Sequence, residues 1–282
     1  MLKTFEKQSN TGVLIFAFDS EIKYTKIATT NAKLIKKYLD LPVTLVTDSK
    51  INDPIFDNIV NVENKFSNRR VFKWHNGVQT VNWKNFGRFD AYNLSPYENT
   101  ILLDADFIIL SDKLLDIISA NIEITAFDNA YDISGKNTFS NDYFINHNSL
   151  RMYWATVIFF RKTVFVKQVF DLWKKISVDW QYYKKLYNIS SQTYRNDFAF
   201  TIALNTLQGQ VDNFTSMPYD LPTLNSTHCI DYISDSGEIY FSYPTHVNGV
   251  IRYKQSMYQG DLHIMNKTDF DKVYEFAKKV TV

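Results

Sequence analysis

Apolar and polar positions alternate in blocks along the first fifty residues. VLIFAF (13–18) is a short continuous apolar run, which is typical of a buried strand. Beyond it, apolar side chains recur at helical spacing, at Tyr24, Ile27, Ala28, Leu34, Ile35, Tyr38 and Leu39. Leu41-Pro42 ends this helix, and VTLVTD (43–48) predicts a second strand. The pattern therefore predicts a strand, a helix and a parallel strand joined by a right-handed crossover.

The rest of the chain continues to alternate between strand-like and helical patterns. The segment 61–81 has no clear period and predicts either a loop or a β-hairpin turning at His75-Asn76-Gly77. The remaining predicted elements are a helix over 83–94, strands over 101–110, 122–129 and 153–160, helices from Thr163 to about Tyr187 and from Asn196 to Leu207, short strands after Gln208, and a terminal helix. This alternation predicts an α/β fold.

Composition favours one compact domain. The 282 residues are enough to bury a substantial core, and the eight Gly and six Pro never cluster into a linker. The single Cys229 excludes an intramolecular disulfide, MLKTFEKQSN lacks the apolar core of a signal peptide, and no apolar run approaches the length of a membrane span. We therefore expect a single domain over residues 1–282, in the cytoplasm and without a membrane span.

Charge is nearly balanced, with 31 Lys and Arg against 30 Asp and Glu and a net charge of +1. Proteins that bind nucleic acid mainly through its phosphates are usually strongly basic, so the overall charge disfavours this class. Two segments that are both basic and aromatic, RRVFKWH (69–75) and YYKK (182–185), are nevertheless candidates for a local contact with nucleic acid. For the second segment, surface charge beside core aromatics is the favoured explanation.

The stretch ILLDADFIIL (101–110) places two carboxylates in an otherwise apolar run that predicts a buried strand. An unpaired buried carboxylate is unfavourable, so Asp104 and Asp106 need a compensating cation unless the strand ends there. Residues i and i+2 of an extended chain point the same way, which lets both side chains converge on one divalent metal ion. The alternative is a strand that stops at Leu103 and turns, with Asp106 as a solvated or capping acid.

Polar residues also follow the two earlier strands. Parallel strands end at one edge of the sheet, so Asp19 and Thr47-Asp48 should face the same crevice as Asp104 and Asp106. Ligands of open α/β sheets bind at this carboxyl edge. The sequence therefore predicts a ligand site around the two acids.

Several motifs occur in an order that resembles a known family. VLIFAFD and VTLVTD come first, Arg88 precedes LLDADFII, and RNDF (195–198) and DLHIMNK (261–267) follow. Over roughly residues 12–270 this order resembles the GT-A fold of metal-dependent sugar transferases, most closely the glycogenin-like and lipopolysaccharide galactosyltransferase-like group. The resemblance implies a single GT-A domain, with a Rossmann-like mixed central sheet flanked by helices.

In that family these motifs hold a nucleotide-sugar donor through a divalent metal ion. The resemblance implies Mn²⁺ or Mg²⁺ as cofactor, with an imidazole ligand favouring Mn²⁺, and a nucleotide-diphosphate sugar, expected to be UDP-linked, as donor. It also implies a donor-binding half over about 12–130 and an acceptor-side half over about 131–282. The implied residues are Asp104, Asp106 and His263 for the metal; Phe16, Ala17, Phe18, Asp19, Tyr24, Thr47, Asp48, Arg88, Ala105 and Lys267 for the donor; Asp197, Asn196 and Arg88 for catalysis; and Trp74, His75, Trp154 and Ala155 for the acceptor.

Each of these residues also has an ordinary structural explanation. His263 is also explained as a lone His packed in a strand, Arg88 and Lys267 as solvated surface cations, and Asp197 as the capping acid of its helix. The sequence departs from the family pattern as well. Trp154-Ala155-Thr156 stands where the family has Asn-Ala-Gly, and the His-x-x-Gly-x-x-Lys pattern is shortened. These departures leave the acceptor and the diphosphate contacts open.

Whole segments, including LPVTLVTD and RNDFAFTIALN, also resemble proteins of T4-like tailed bacteriophages that are regarded as sugar transferases. That resemblance implies a phage enzyme in the host cytoplasm, with a hydroxymethylated base in phage DNA as a candidate acceptor. A transferase acting on a host glycan or protein, and a non-catalytic module that binds a nucleotide sugar or glycan, are the alternatives. A nucleotidyltransferase would need a phosphate-cradling Gly-rich loop after the first strand, and FAFDSE has no Gly.

Overall fold

A computed structural model describes residues 10–63, 68–74, 77–84, 87–136, 139, 143–146, 150–191, 193–210 and 214–280. The strands are β1 (Thr11–Phe16), β2 (Val43–Thr47), β3 (Asn58–Asn61), β4 (Asn68–Trp74), β5 (Gly77–Trp83), β6 (Asn99–Asp104), β7 (Phe107–Ile108), β8 (Ile124–Phe127), β9 (Ala130–Asp132), β10 (Trp154–Arg161), β11 (Leu221–Leu224), β12 (Cys229–Ile233), β13 (Glu238–Val247), β14 (Val250–Gln259) and β15 (Leu262–Ile264). The helices are α1 (Tyr24–Tyr38), α2 (Ala91–Leu94), α3 (Leu114–Ser119), α4 (Val164–Val178), α5 (Trp180–Leu186), α6 (Asn196–Leu207) and α7 (Phe270–Val280). Among these helices, none combines the length and the apolar character that a bilayer crossing requires.

A six-stranded mixed sheet forms the centre of the molecule, in the order β3-β2-β1-β6-β10-β8. β1, β2, β3 and β6 are parallel, whereas β10 runs antiparallel to both of its neighbours. Apolar side chains such as Leu14, Leu45 and Leu102 are completely buried in it, and α1 and α6 pack against its strands. The predicted α/β class, with a mixed central sheet flanked by helices and a parallel β1-α1-β2 unit, is confirmed.

The basic and aromatic segment before the acids forms a β-hairpin, one of the two predicted alternatives. β4 and β5 pair antiparallel up to Trp74 and Gly77, while residues 75–76 lie outside the described part of the chain. The helix predicted over 83–94 is wrong at its first residue, Trp83, and residues 85–86 lie outside the described part of the chain. β5 extends to its start, and helical geometry begins with a 3-10 turn at Arg88–Asp90 that leads into α2. Gly87 precedes this turn with a φ of 102°, a conformation that only glycine adopts easily.

The helix predicted from Thr163 to about Tyr187 is two helices, α4 and α5. Between them Asp179 has a φ of −94° and a ψ of 29°, which are not helical values. Val178 and Asp179 both have modest helix propensity, which makes this a favourable place to bend. After the bend, Trp180 packs edge-to-face against Tyr194, with ring centroids 5.4 Å apart. The bend between α4 and α5 therefore coincides with burial of the Trp180 side chain.

The strand predicted over 101–110 is interrupted at the acids. β6 ends at Asp104, the chain turns at Ala105-Asp106, and β7 belongs to a second sheet of order β7-β15-β11-β9. Asp104 is therefore the last residue of β6 and Asp106 lies in the turn, so the two carboxylates do not share one face of a continuous strand; residues 104–106 are called the acid turn below. A central strand buried on both faces has no place for unpaired carboxylates, and the turn brings both to the edge of the sheet.

The short strands predicted after Gln208 include a long hairpin that the sequence reasoning missed. β13 and β14 pair along their full lengths around Asn248-Gly249. These two residues have φ angles of 50° and 76°. Positive φ at both central positions is the geometry of a type I′ turn, which Asn-Gly favours. The Asn-Gly pair was thus the signal that identifies this hairpin.

Candidate functional site

A cavity of about 200 Å³ opens where β1 and β6 end side by side. Phe16 at the end of β1 is in register with Asp104 at the end of β6. The cavity wall contains many of the residues predicted from the sequence, namely Phe16, Phe18, Tyr24, Arg88, Asp104, Ala105, Asp106, Trp154, Ala155, Asn196, Asp197, His263 and Lys267. Residues scattered over most of the chain therefore come together at the predicted edge of the sheet.

Asp104, Asp106 and His263 form a compact group of candidate metal ligands. One oxygen of each carboxylate and one nitrogen of the imidazole all lie within 4.8 Å of one another. The Nε2 atom of His263 is 3.7 Å from Oδ1 of Asp106. This arrangement follows from the second sheet, because β15 pairs with β7 directly after the acid turn. Two carboxylates and an imidazole are a donor set that fits Mn²⁺ and similar divalent ions.

Each of the two acids also contacts a cation. Arg88 Nη1 contacts Asp104 Oδ1, and Lys267 Nζ contacts Asp106 Oδ2. Both cationic side chains are buried, so the alternative of solvated surface cations is wrong for both. The Nε and Nη2 atoms of Arg88 are buried and have no hydrogen-bond partner among the described residues. Because buried donors without acceptors are unfavourable, Arg88 has unused capacity for an anionic ligand.

The crowding of charges shifts the pKa values of the two acids in opposite directions. Burial raises the pKa of Asp104 to about 7, Arg88 opposes the rise, and the carboxylates of Asp106 and Asp197 add to it. Burial also acts to raise the pKa of Asp106, but Lys267 and His263 outweigh it, and the net pKa is lowered. Asp106 is therefore ionised at neutral pH, whereas Asp104 titrates there.

Asp197 and Asn196 reach the cavity from the first turn of α6. Asp197 Oδ1 accepts a hydrogen bond from the Ala155 amide at 2.8 Å, and its Oδ2 is 2.8 Å from Nη2 of Arg195. No side chain caps α6, so the capping role considered for Asp197 is wrong. The Tyr194 hydroxyl donates to Asn196 Oδ1 at 3.1 Å and fixes the orientation of that amide. Both side chains are thus held from outside their own helix.

Four residues predicted to bind the donor lie outside the cavity wall, namely Ala17, Asp19, Thr47 and Asp48. Asp19 accepts hydrogen bonds from the Thr25 amide at 2.9 Å and the Thr25 hydroxyl at 3.0 Å, which ties it to the first turn of α1. Asp48 forms an ion pair of 2.6 Å with Lys84. Two predicted acceptor groups, the side chain of Trp74 and the whole of His75, fall outside the described part of the chain.

Sequence reasoning missed several residues of the wall, namely Lys84, Phe139, Thr156, Arg195, Thr223 and Met265. Phe139 packs edge-to-face on Trp154, with ring centroids 5.5 Å apart, and the Arg195 guanidinium lies 5.4 Å from the Trp154 ring. Arg195 could have been inferred from its place beside the two predicted residues of α6. Phe139 and Thr223 have no local sequence signal, because only the tertiary fold brings them to this cavity.

No protein-family model and no curated protein matches the sequence. The chain is similar to solved structures at low identity. The apo-form glycosyltransferase GlyE of Streptococcus pneumoniae TIGR4 is 13% identical, over 74% of this chain and 45% of that one, with a TM-score of 0.41. Galactosyltransferase LgtC in complex with donor and acceptor sugar analogs is 12% identical over 70% of each chain, with a TM-score of 0.43. The bifunctional IspDF from Campylobacter jejuni is 11% identical, over 75% of this chain and 50% of that one, with a TM-score of 0.39.

The chain spans less than half the length of GlyE. The chemistry follows from the side chains that meet in the cavity.

Proposed function

We propose that the chain is a metal-dependent glycosyltransferase of the GT-A type, which moves a sugar from a nucleotide-diphosphate sugar to an acceptor hydroxyl. The observation that carries this proposal is the group of Asp104, Asp106 and His263, with Arg88 and Lys267 buried beside it. The carboxyl edge of a parallel sheet is where α/β folds bind their ligands. Hard oxygen ligands next to buried cations suit a diphosphate that is bound together with a divalent ion.

The charge balance supports such a ligand. In the structure Arg88 and Lys267 neutralise Asp104 and Asp106. A diphosphate offers two oxygens to the guanidinium fork of Arg88 and a point contact to the ammonium of Lys267. The two cations would thereby exchange a carboxylate for a phosphate, and the acids would become available as metal ligands.

The residues of the cavity have different proposed roles in the transfer. A bound divalent ion supplies stabilisation of the negative charge that develops on the departing diphosphate. Asp104, Asp106 and His263 would hold that ion, while Arg88 and Lys267 contact the diphosphate oxygens. Asp197 lines the cavity, where its carboxylate would orient the acceptor hydroxyl or balance the positive charge that develops on the sugar.

Aromatic side chains support both a donor and an acceptor subsite. Phe16, Phe18 and Tyr24 line the cavity at the end of β1, where a uridine base would be bound. On the other side of the acids, Phe139 packs edge-to-face on Trp154, a buried indole that lies beneath the Arg195 guanidinium. The half-buried ring of Phe139 and the guanidinium of Arg195 offer an aromatic contact and a cationic contact to an extruded base, so we propose a hydroxymethylated base of phage DNA as the acceptor, in the host cytoplasm. A hydroxyl of a host glycan or protein is the competing acceptor.

The test is release of nucleoside diphosphate from a panel of nucleotide sugars, with Mn²⁺ or Mg²⁺ and with chelator. We expect turnover only with metal and none in Asp106→Asn. Asp57→Asn is the matched control, because Asp57 accepts from the Val43 amide at 2.7 Å, where β2 begins, at the opposite edge of the sheet. Turnover that persists in chelator or in Asp106→Asn contradicts the metal role. Mass spectrometry of nucleosides from hydroxymethylated DNA, against glycan and protein acceptors, identifies the product.

A non-catalytic nucleotide-sugar or glycan binding module is the second candidate. The observation in its favour is that both acids already contact cations and that Asp197 is engaged by Ala155 and Arg195. Calorimetry separates the two functions. Metal-dependent binding of a nucleoside diphosphate, without turnover for any donor and acceptor tested, would identify the binding module.

A further inference from the structure

The turn that carries both acids is held by one buried residue of α1, Asn31. Its Nδ2 donates to the Phe107 carbonyl at 2.7 Å and to the Ala105 carbonyl at 3.4 Å. Its Oδ1 accepts from the Ile109 amide at 3.2 Å. Asn31 has no exposed surface, and a buried amide is unfavourable unless its polar groups are paired. All three of its hydrogen bonds go to the backbone of one short segment that begins between the two acids.

The same segment is also held by β15. The Ile264 amide donates to the Asp106 carbonyl at 2.9 Å, and His263 pairs in register with Phe107. Alternate backbone groups of an extended segment point to opposite sides. The segment therefore lies between Asn31 on one side and, on the other, the strand that supplies the imidazole.

We propose that Asn31 is a positioning residue of the metal site, which fixes the acid turn so that Asp104 and Asp106 keep their spacing from His263. This inference rests on the proposed function, because it assigns a divalent ion to those three side chains. The hydrogen bonds of Asn31 reach the backbone of the turn, so Asn31 acts through the ligands and binds no substrate. Removing a group that orients metal ligands weakens metal affinity by about 10-fold to 100-fold.

The experiment compares UDP affinity by calorimetry in chelator and at one fixed Mn²⁺ concentration below saturation of the free proteins, for wild type, Asn31→Leu and Asn205→Leu. Asn205 is the matched control, because it is also a buried helical Asn, and its Nδ2 donates to the Thr201 carbonyl of its own helix at 2.9 Å. In Asn31→Leu we expect the gain in affinity that Mn²⁺ confers to fall by about 10-fold to 100-fold, with metal-free UDP affinity unchanged. In Asn205→Leu both affinities should match wild type.

Hydrogen-deuterium exchange of the metal-free proteins gives a second readout. A peptide covering 105–110 should exchange faster in Asn31→Leu than in wild type, because the Ile109 amide loses its acceptor. Should Asn31→Leu fail to fold, Asn31→Ala replaces it, since the methyl side chain removes all three hydrogen bonds and cannot clash with the turn.

The outcomes separate this inference from the proposed function. If Mn²⁺ raises the UDP affinity of the Asn31 variant as much as that of wild type, the inference alone is overturned. An equal loss of UDP affinity with and without metal also overturns it, because that result shows a general structural role. A wild-type protein whose UDP affinity does not respond to Mn²⁺ overturns the proposed function, and the inference with it.

Discussion

The ion pair between Arg88 and Asp104 gives a quantitative prediction about stability. The Arg88 side chain is 6% exposed, whereas that of Asp104 is 34% exposed. Removing one partner of a buried pair costs about 3–5 kcal/mol, because the other charge stays buried without compensation. Arg88 is the more buried of the two, so Asp104→Leu should lower the free energy of unfolding by about 3–5 kcal/mol.

The reverse substitution should be milder. Arg88→Met leaves a carboxylate that is one-third exposed and partly screened by water, so we expect a loss of only about 1–2 kcal/mol. The double variant Arg88→Met/Asp104→Leu leaves neither charge behind. Replacing a buried ion pair by apolar side chains is often close to neutral, so the double variant should lie within about 2 kcal/mol of wild type.

The assay is urea unfolding at pH 8 with chelator, followed by tryptophan fluorescence and extrapolated to water. Asp171→Leu is the control, because Asp171 pairs with Lys167 on the exposed surface of α4 and its removal should change stability by less than about 0.5 kcal/mol. Losses that simply add in the double variant would refute the reasoning. So would an Asp104→Leu protein no less stable than Arg88→Met.

Two further predictions concern pH and packing. With its pKa raised to about 7, Asp104 carries a proton below neutrality and cannot bind metal, so the Mn²⁺-dependent gain in UDP affinity should fall by up to about tenfold per pH unit below 7. Calorimetry across this range checks it, and a flat profile contradicts it. Gly12→Ala would place its methyl group 2.4 Å from the Tyr97 ring, so urea unfolding should show a loss of about 1–3 kcal/mol. Little loss from Gly12→Ala, or an equal loss in a Tyr97→Leu background, where the clash is relieved, contradicts that reasoning.

Local patterns were sufficient for the elements that lie close together in the sequence. The apolar runs of β1 and β2 and the helical spacing of α1 predicted a parallel unit because its pairing partners are joined by one short crossover. For the cavity, the order of motifs predicted that Arg88, Asp106 and His263 share one site. They line the same cavity although they are distant in sequence. Asn31 escaped this reasoning because it lies on an apolar helix face, and its backbone partners are 74 to 78 residues further along the chain.

The change of sheet after Asp104 was hidden for a different reason. Phe107, Ile108, Ile109 and Leu110 are as buried as the apolar residues of β6, so the apolar pattern resumes directly after the turn. Hydrophobic periodicity records whether a residue is buried, but it does not record which sheet buries it. The two-residue alternation therefore predicted one continuous strand through both acids, which is wrong, because the chain changes sheet between them.

The second sheet has a consequence for the order in which the protein assembles. Asp261, just before β15, accepts a hydrogen bond from the Leu110 amide across 151 residues of the chain. Contacts at such separation form slowly, because the long loop must close before they contribute any free energy. During synthesis the acid turn emerges from the ribosome long before His263 and Lys267. The growing chain therefore carries the acids without their imidazole and ammonium partners, and the appearance of the proposed activity would report that β15 has docked.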